Sequence, residues 1–223
     1  MIDQTVIKHH IQKYILSILM LQKFARFKDM RPPKTDTNLY SYHLKLLLRD
    51  GYVEKADDGY TLGMKGIQYV DRTSNESMKL RLQPKIITML VIQDGYGNIL
   101  LRRKVRQPFI DTWTLPFGKV HDDDQSILVA AQREIIEKIG DHIIDISHAG
   151  DSYIRVLQNG DVKISTLAHI FYGTTDDSIE GDLFKWVPPH KIDTLDTSPA
   201  ISEIIARTFF RDKYFFEEYE LDW

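Results

Sequence analysis

The chain has 223 residues, enough for one large core or for a modest core beside a smaller one, so its length accommodates two domains. Cysteine is absent, which excludes disulfides, thiolate metal sites and thiol nucleophiles, fits a reducing interior, and leaves oxygen and nitrogen groups for any catalysis. Residues 1 to 83 carry 14 Lys+Arg against 9 Asp+Glu (+5) and the remainder 15 against 23 (−8), a basic head on an acidic body that suggests a polyanionic partner for the head alone.

Residues 4 to 20 place Ile7, Ile11, Tyr14, Ile15 and Ile18 on one helical stripe. The apolar run from Ile15 to Leu21 falls well short of the roughly 20 residues of a bilayer span, so a cytoplasmic protein without membrane contact is expected. Pro32-Pro33 blocks helix continuation, and Thr35 to Asn38 supply capping oxygens for a second helix over about 39–49, stopped by Asp50-Gly51. Tyr52 to Lys55 and Tyr60 to Leu62 flank the turn Asp57-Asp58-Gly59 as a hairpin, and residues 63 to 72 predict another short helix.

This order, with Leu48-Arg-Asp-Gly-Tyr-Val-Glu-Lys followed by Gly-Tyr-Thr-Leu, resembles the winged helix-turn-helix family over the first third of the chain. Such a module sets its second helix in a DNA major groove. The polar stripe opposite Tyr40, Leu44, Leu47 and Leu48, made of Asn38, Ser41, Tyr42, Lys45 and Arg49, is then the expected DNA-binding face. The alternative is a winged helix used for protein contact or dimerisation, its charged stripe merely solvated, and the two aspartates at the wing tip oppose phosphate contact by the wing.

Polar residues 73 to 83 divide the chain into a module over 1–75, a linker over 76–84 and a second domain over 85–223. From Lys85 the period becomes that of strands: 86–92, a turn at 94–98, 99–103, then a helix over about 126–139. Strands near 142–149, 152–157, 162–172 and 183–187 and a closing helix from Ser198 complete a mixed α/β sandwich. The closing helix is read through Phe209, Phe210, Tyr214, Phe215, Phe216, Tyr219 and Trp223, aromatic surface enough to pack on the winged helix or on a second copy in a homodimer.

Gln107-Pro-Phe-Ile-Asp-Thr-Trp-Thr-Leu-Pro-Phe-Gly-Lys-Val120 with Arg133-Glu-Ile-Ile-Glu-Lys-Ile-Gly140 resembles the Nudix hydrolase family over about 85–210. Its pattern, Gly-x5-Glu-x7-Arg-Glu-U-x-Glu-Glu-x-Gly-U with U apolar, forms a loop, helix and loop that hold Mg²⁺ or Mn²⁺ against a diphosphate. Gly118, Arg133, Glu134, Glu137 and Gly140 match it. Gly118 to Arg133 is one residue longer than the pattern, so the first glutamate falls on Asp124 or Gln125, while the second paired glutamate is Lys138 and the last apolar position Asp141. The resemblance makes Glu134 and Glu137 the catalytic pair and, with Asp124, the metal ligands; the hydrolysis it implies is of a nucleoside diphosphate linked to a second group.

Lys138 works against that role. Positions four apart share a helix face, so its ammonium pairs with Glu134 and repels an incoming dication, and without metal the route to hydrolysis loses its Lewis acid. Rescue by oxygens from 121–124, Glu180 and Asp182 competes with a plain solvated loop capping the helix at Asp124 or Ser126. Arg102, Arg103, Arg106, Lys119 and Arg133 beside Gly118 offer cations for a diphosphate. Trp113 reads as packing beneath the loop rather than as a base-stacking platform, and no histidine has a partner at ligand spacing apart from adjacent His9-His10, read as surface. The expected function is a regulator that binds DNA and senses a nucleoside-diphosphate derivative, as in Nudix-related transcriptional regulators but with the domains in reversed order; the alternative is an active metal-dependent hydrolase.

Overall fold

The computed structural model describes residues 7–74, 78, 82–210 and 214–222. The chain divides into two compact units, 1–82 and 83–223. Most of the stretch read as a linker, and Trp223, lie outside the described residues.

In the first unit, α1 (His10–Leu21) buries Ile11, Ile15, Leu16 and Leu19, and α2 (Thr37–Arg49) buries Tyr40, His43, Leu44 and Leu47. Asp36 caps α2 by accepting from the Asn38 and Leu39 amides, as the polar cluster after Pro33 predicts. β1 (Val53–Ala56) and β2 (Gly59–Leu62) form the antiparallel hairpin, and α3 (Met64–Asp71) follows. An antiparallel bridge from Ala25 to Tyr60 lays residue 25 beside β2. That close approach requires glycine at 59: a Cβ there would meet the Ala25 carbonyl oxygen at 2.5 Å.

The second unit is built on an eight-stranded mixed sheet. β3 (Lys85–Asp94) is its spine, parallel to β8 (Asp161–Thr175) and antiparallel to β4 (Ile99–Arg103) and β6 (Phe117–Lys119). β5 (Trp113–Thr114) and β9 (Phe184–Val187) pair with β4, and β7 (Ile146–Gln158) with β8. One face is covered by Ile192, Ile201, Ile204 and Ile205, the last three from α5 (Ile201–Phe209). The other is covered by Ala131 and Ile135 of α4 (Ile127–Lys138), with Ile139 just beyond it. Helices on both faces of one sheet make the expected α/β/α sandwich.

Two expectations are corrected. The strands read separately at 142–149 and 152–157 are one strand, β7, which continues through a register shift between His148 and Gly150. The aromatic C-terminus is not a helix: α5 ends at Phe209, and Phe215–Asp222 form β10, parallel to β7 and hydrogen-bonded along it from Phe215↔Gly150 to Asp222↔Leu157. Its burial alternates, Phe215 inward and Phe216 outward, which is the two-residue period of a strand. The density of aromatics masked that period, because Phe and Tyr suit both helix faces and pleated surfaces.

Candidate functional site

β6 and α4 face each other, and their contact is made through Gly118 and Glu134. A Cβ on residue 118 would stand 1.7 Å from Glu134 Cδ, so only glycine lets this carboxylate lie against the strand. Glu134 is 2% exposed, and ionised carboxylates survive such burial only when paired. Arg133 Nη1 donates to its Oε1 at 2.6 Å, and Lys138 Nζ stands 3.2 Å from Oε2. The lysine contact is electrostatic rather than directional, and Oε2 has no hydrogen-bond donor.

Arg133 is a clamp. Nε and Nη2 hold both oxygens of Asp124 at 2.9 Å, Nη2 also reaches the Lys119 carbonyl at 2.9 Å, and Nη1 adds Glu137 Oε1 at 3.2 Å. These bonds, Asp124 first, raise the guanidinium's pKa. In return Arg133 and the His121 amide hold the Asp124 carboxyl down to about 2. Glu137 is likewise lowered, first by Lys138, whose Nζ is 3.2 Å from Oε2, and then by Arg133.

A cavity of about 690 Å³ opens in front of this cluster, its apolar floor formed by the inner sheet face. Among the described residues, Lys85, Arg102, Lys104, Arg106, Lys119 and Lys138 line it against two carboxylates, Glu134 and Glu137. Arg102 Nε is buried without a hydrogen-bond partner, an unmet donor on the wall. Lys104 lies 5.1 Å over Phe117 and 5.8 Å over Phe109, and burial first, Lys85 second, lowers its pKa.

Several expected residues thus converge: Gly118, Lys119, Arg102, Arg106, Glu134, Glu137 and Lys138 line one cavity. Others do not. Arg133 and Asp124 are spent on each other, and neither lines it; Arg103 points to Asp111 at 3.2 Å. Glu180 accepts from Ser178, and neither it nor Asp182 lines the cavity. Ser126 is the cap of α4. Trp113 packs on the core with Lys185 over its ring and is also outside the cavity lining. Lys85, Lys104, Phe109 and Phe117 also line the cavity; of these, Lys104 has a signal in the sequence, since it continues the basic run of β4.

Residues 83–208, more than half of the chain, match the NUDIX domain family model. The chain belongs to the NUDIX domain family. Similar solved structures include the NUDIX domain of Shewanella oneidensis NrtR complexed with ADP ribose, with 15% identity, 66% of this chain and 97% of that one covered, and a TM-score of 0.49. NrtR from the same organism complexed with a 27mer DNA has 16% identity, coverage of 55% and 59%, and a TM-score of 0.46. A MutT protein from Bacillus halodurans has 20% identity, coverage of 61% and 89%, and a TM-score of 0.49. No curated protein matches the chain.

NUDIX hydrolases typically use Mg²⁺ or Mn²⁺. The residues present here do not fit such an ion between α4 and β6: Arg133 and Lys138 already stand at the two oxygens of Glu134 and both contact Glu137, and Asp124 is held bidentately. Magnesium requires free oxygens in near-octahedral array.

On α2, Asn38, Tyr42, Lys45 and Arg49 are exposed and Ser41 is half-buried, opposite the buried Tyr40, Leu44 and Leu47. Arg49 is partly spent on Asp50, at 2.7 Å. Among the described residues, no helix is long and apolar enough to cross a membrane.

Proposed function

We propose that the protein is a ligand-sensing, DNA-binding regulator whose NUDIX domain binds a nucleoside-diphosphate derivative with little or no hydrolysis. The observation that carries this reading is Lys138 Nζ at 3.2 Å from both Glu134 Oε2 and Glu137 Oε2. A fixed ammonium there performs the charge compensation that a dication performs elsewhere, but it neither polarises a phosphoryl oxygen nor generates hydroxide. The cavity keeps what binding requires. Six cations against two carboxylates favour a polyanion, guanidinium and ammonium groups suit phosphate oxygens, and Phe109 and Phe117 offer apolar faces for the rest of the ligand.

The first unit is read as a winged helix, on the element order helix, helix, hairpin, helix with α2 presenting its polar stripe outward. Lys45 and Arg49 would meet phosphates, and Asn38, Ser41 and Tyr42 base edges. The ligand state of one unit would then set the DNA affinity of the other.

The competing reading is a working hydrolase that adds water across the diphosphate of a nucleoside diphosphate joined to another group. Glu134 Oε2, buried and without a hydrogen-bond donor, favours it. Incubation with Mg²⁺ or Mn²⁺ and ADP-ribose, NADH and oxidised nucleoside triphosphates separates the two. Binding without turnover supports the regulator; turnover at about 1 to 10³ per second overturns it.

A further inference from the structure

A second cluster of titratable side chains lies away from the cavity. His148 and Asp151 are three residues apart on β7, a spacing that normally puts side chains on opposite faces of a strand. The register passes from His148↔Phe171 to Gly150↔Ile170, leaving Ala149 as an extra residue, and this bulge returns both side chains to one face. Asp151 is directly opposite His169 of β8. His148 stacks on Phe171 at 5.0 Å, and Phe171 belongs to the core beneath α4, so the cluster is on the α4 side of the sheet. None of the three residues lines the NUDIX cavity.

Both imidazoles converge on a single oxygen. His148 Nε2 is 2.8 Å and His169 Nδ1 2.7 Å from Asp151 Oδ1, while the Tyr214 hydroxyl donates to Oδ2. All three ligand-type atoms lie within 4.8 Å of one another. Unlike Glu134, this carboxylate pairs with no Lys or Arg among the described residues.

We propose that His148, Asp151 and His169 bind one divalent transition-metal ion of the Zn²⁺ class, with Tyr214 orienting the carboxylate. Two imidazole nitrogens with one carboxylate oxygen suit Zn²⁺, Co²⁺ or Ni²⁺, whereas Mg²⁺ takes oxygen alone. Bonds of about 2.0 to 2.2 Å in a tetrahedron place ligand atoms roughly 3.3 Å apart, so the two close pairs must spread by about half an ångström. The half-exposed His148 ring can supply that movement for its own pair, and a shift of the Asp151 carboxylate supplies it for the pair with His169. Three protein ligands leave a fourth position for water. Sequence separation concealed the site, since His148 and His169 are joined only by the β7–β8 pairing.

Co²⁺ is the probe, titrated into the full chain and followed by its visible d–d absorption. One equivalent should bind, with the intensity of a tetrahedral nitrogen and oxygen site, and Zn²⁺ should displace it. Tyr214→Phe should weaken binding by about 10- to 100-fold, the usual effect of an outer-shell loss, and His148→Ala by more than that. His148→Ala removes an exposed ring, and its melting curve checks that the fold is kept. A Glu134→Gln, Glu137→Gln double variant should bind as wild type. Absence of the absorption in wild type, its persistence in His148→Ala, or its loss in the double variant would each overturn the proposal.

Discussion

Lys138 Nζ stands 3.2 Å from Glu134 Oε2, one helical turn along α4, in the Glu-before-Lys order that favours such pairs. An exposed pair of this kind contributes about 0.2 to 0.5 kcal/mol. Here one partner is 2% exposed, so loss of the ammonium would leave a buried carboxylate short of a counter-charge. The lysine is therefore part of what accommodates the Glu134 carboxylate against β6.

Lys138→Glu reverses the charge at the mouth of the cluster. Unit charges about 4 Å apart interact by roughly 4 kcal/mol at an effective dielectric constant of 20, and a third of that surviving solvent screening corresponds to a tenfold change. Mn²⁺ affinity, read by calorimetry or by electron paramagnetic resonance of free Mn²⁺, should rise tenfold or more. An unchanged affinity would show that position 138 does not control the cation.

Gly118→Ala forces a methyl into the Glu134 carboxylate. Overpacking a filled site costs about 1 to 3 kcal/mol, so the melting temperature should fall. Because the clash is with a side-chain terminus, a double-mutant cycle with Glu134→Ala should recover part of the loss. Additive effects would place the strain elsewhere.

The Asp124 carboxyl, held at about 2 by Arg133 and the His121 amide, titrates below its ordinary value of 3.8. A depressed carboxyl stabilises the fold above that ordinary value and ceases to do so as the pH falls through about 2. Carbon NMR should find Asp124 ionised at pH 3. In Arg133→Gln its midpoint should return toward the ordinary range, and a midpoint near 4 in the wild type would contradict the clamp.

Lys45 is exposed, whereas Arg49 is engaged by Asp50, so the two should not contribute equally to DNA binding. Lys45→Ala should lower affinity for DNA of any sequence and reduce the slope of log affinity against log salt by about 1, with a smaller effect from Arg49→Ala. Gel-shift titrations over a salt series give both slopes. No change in either variant would favour protein contact as the role of α2.

Much of this site was legible because its signals are local. Glu134, Glu137 and Lys138 lie on one helix, where spacing alone decides which side chains meet, and Gly118 matches the opening glycine of the family pattern. What escaped was carried by the sheet. Arg133 has the composition of a ligand-binding residue, yet beside its helix neighbours Glu134 and Glu137 its donors go to Asp124 and the Lys119 carbonyl, partners that only the folded chain brings to it. Arg103 and Arg102 are neighbours in β4, and strand alternation sends one to Asp111 and the other to the cavity wall. Helical spacing cannot reveal the pairing of β10 with β7, because parallel strands are joined through distant chain.

In the proposed regulator, Lys138 replaces a divalent ion as the counter-charge at the NUDIX carboxylates and leaves a cavity that binds a diphosphate without metal. Calorimetric titration of ADP-ribose, in excess EDTA and again in Mg²⁺, with the ligand analysed afterwards, tests it most directly. The same affinity in both buffers and intact ligand are expected. Binding that appears only with Mg²⁺, accompanied by cleavage of the diphosphate, would contradict it.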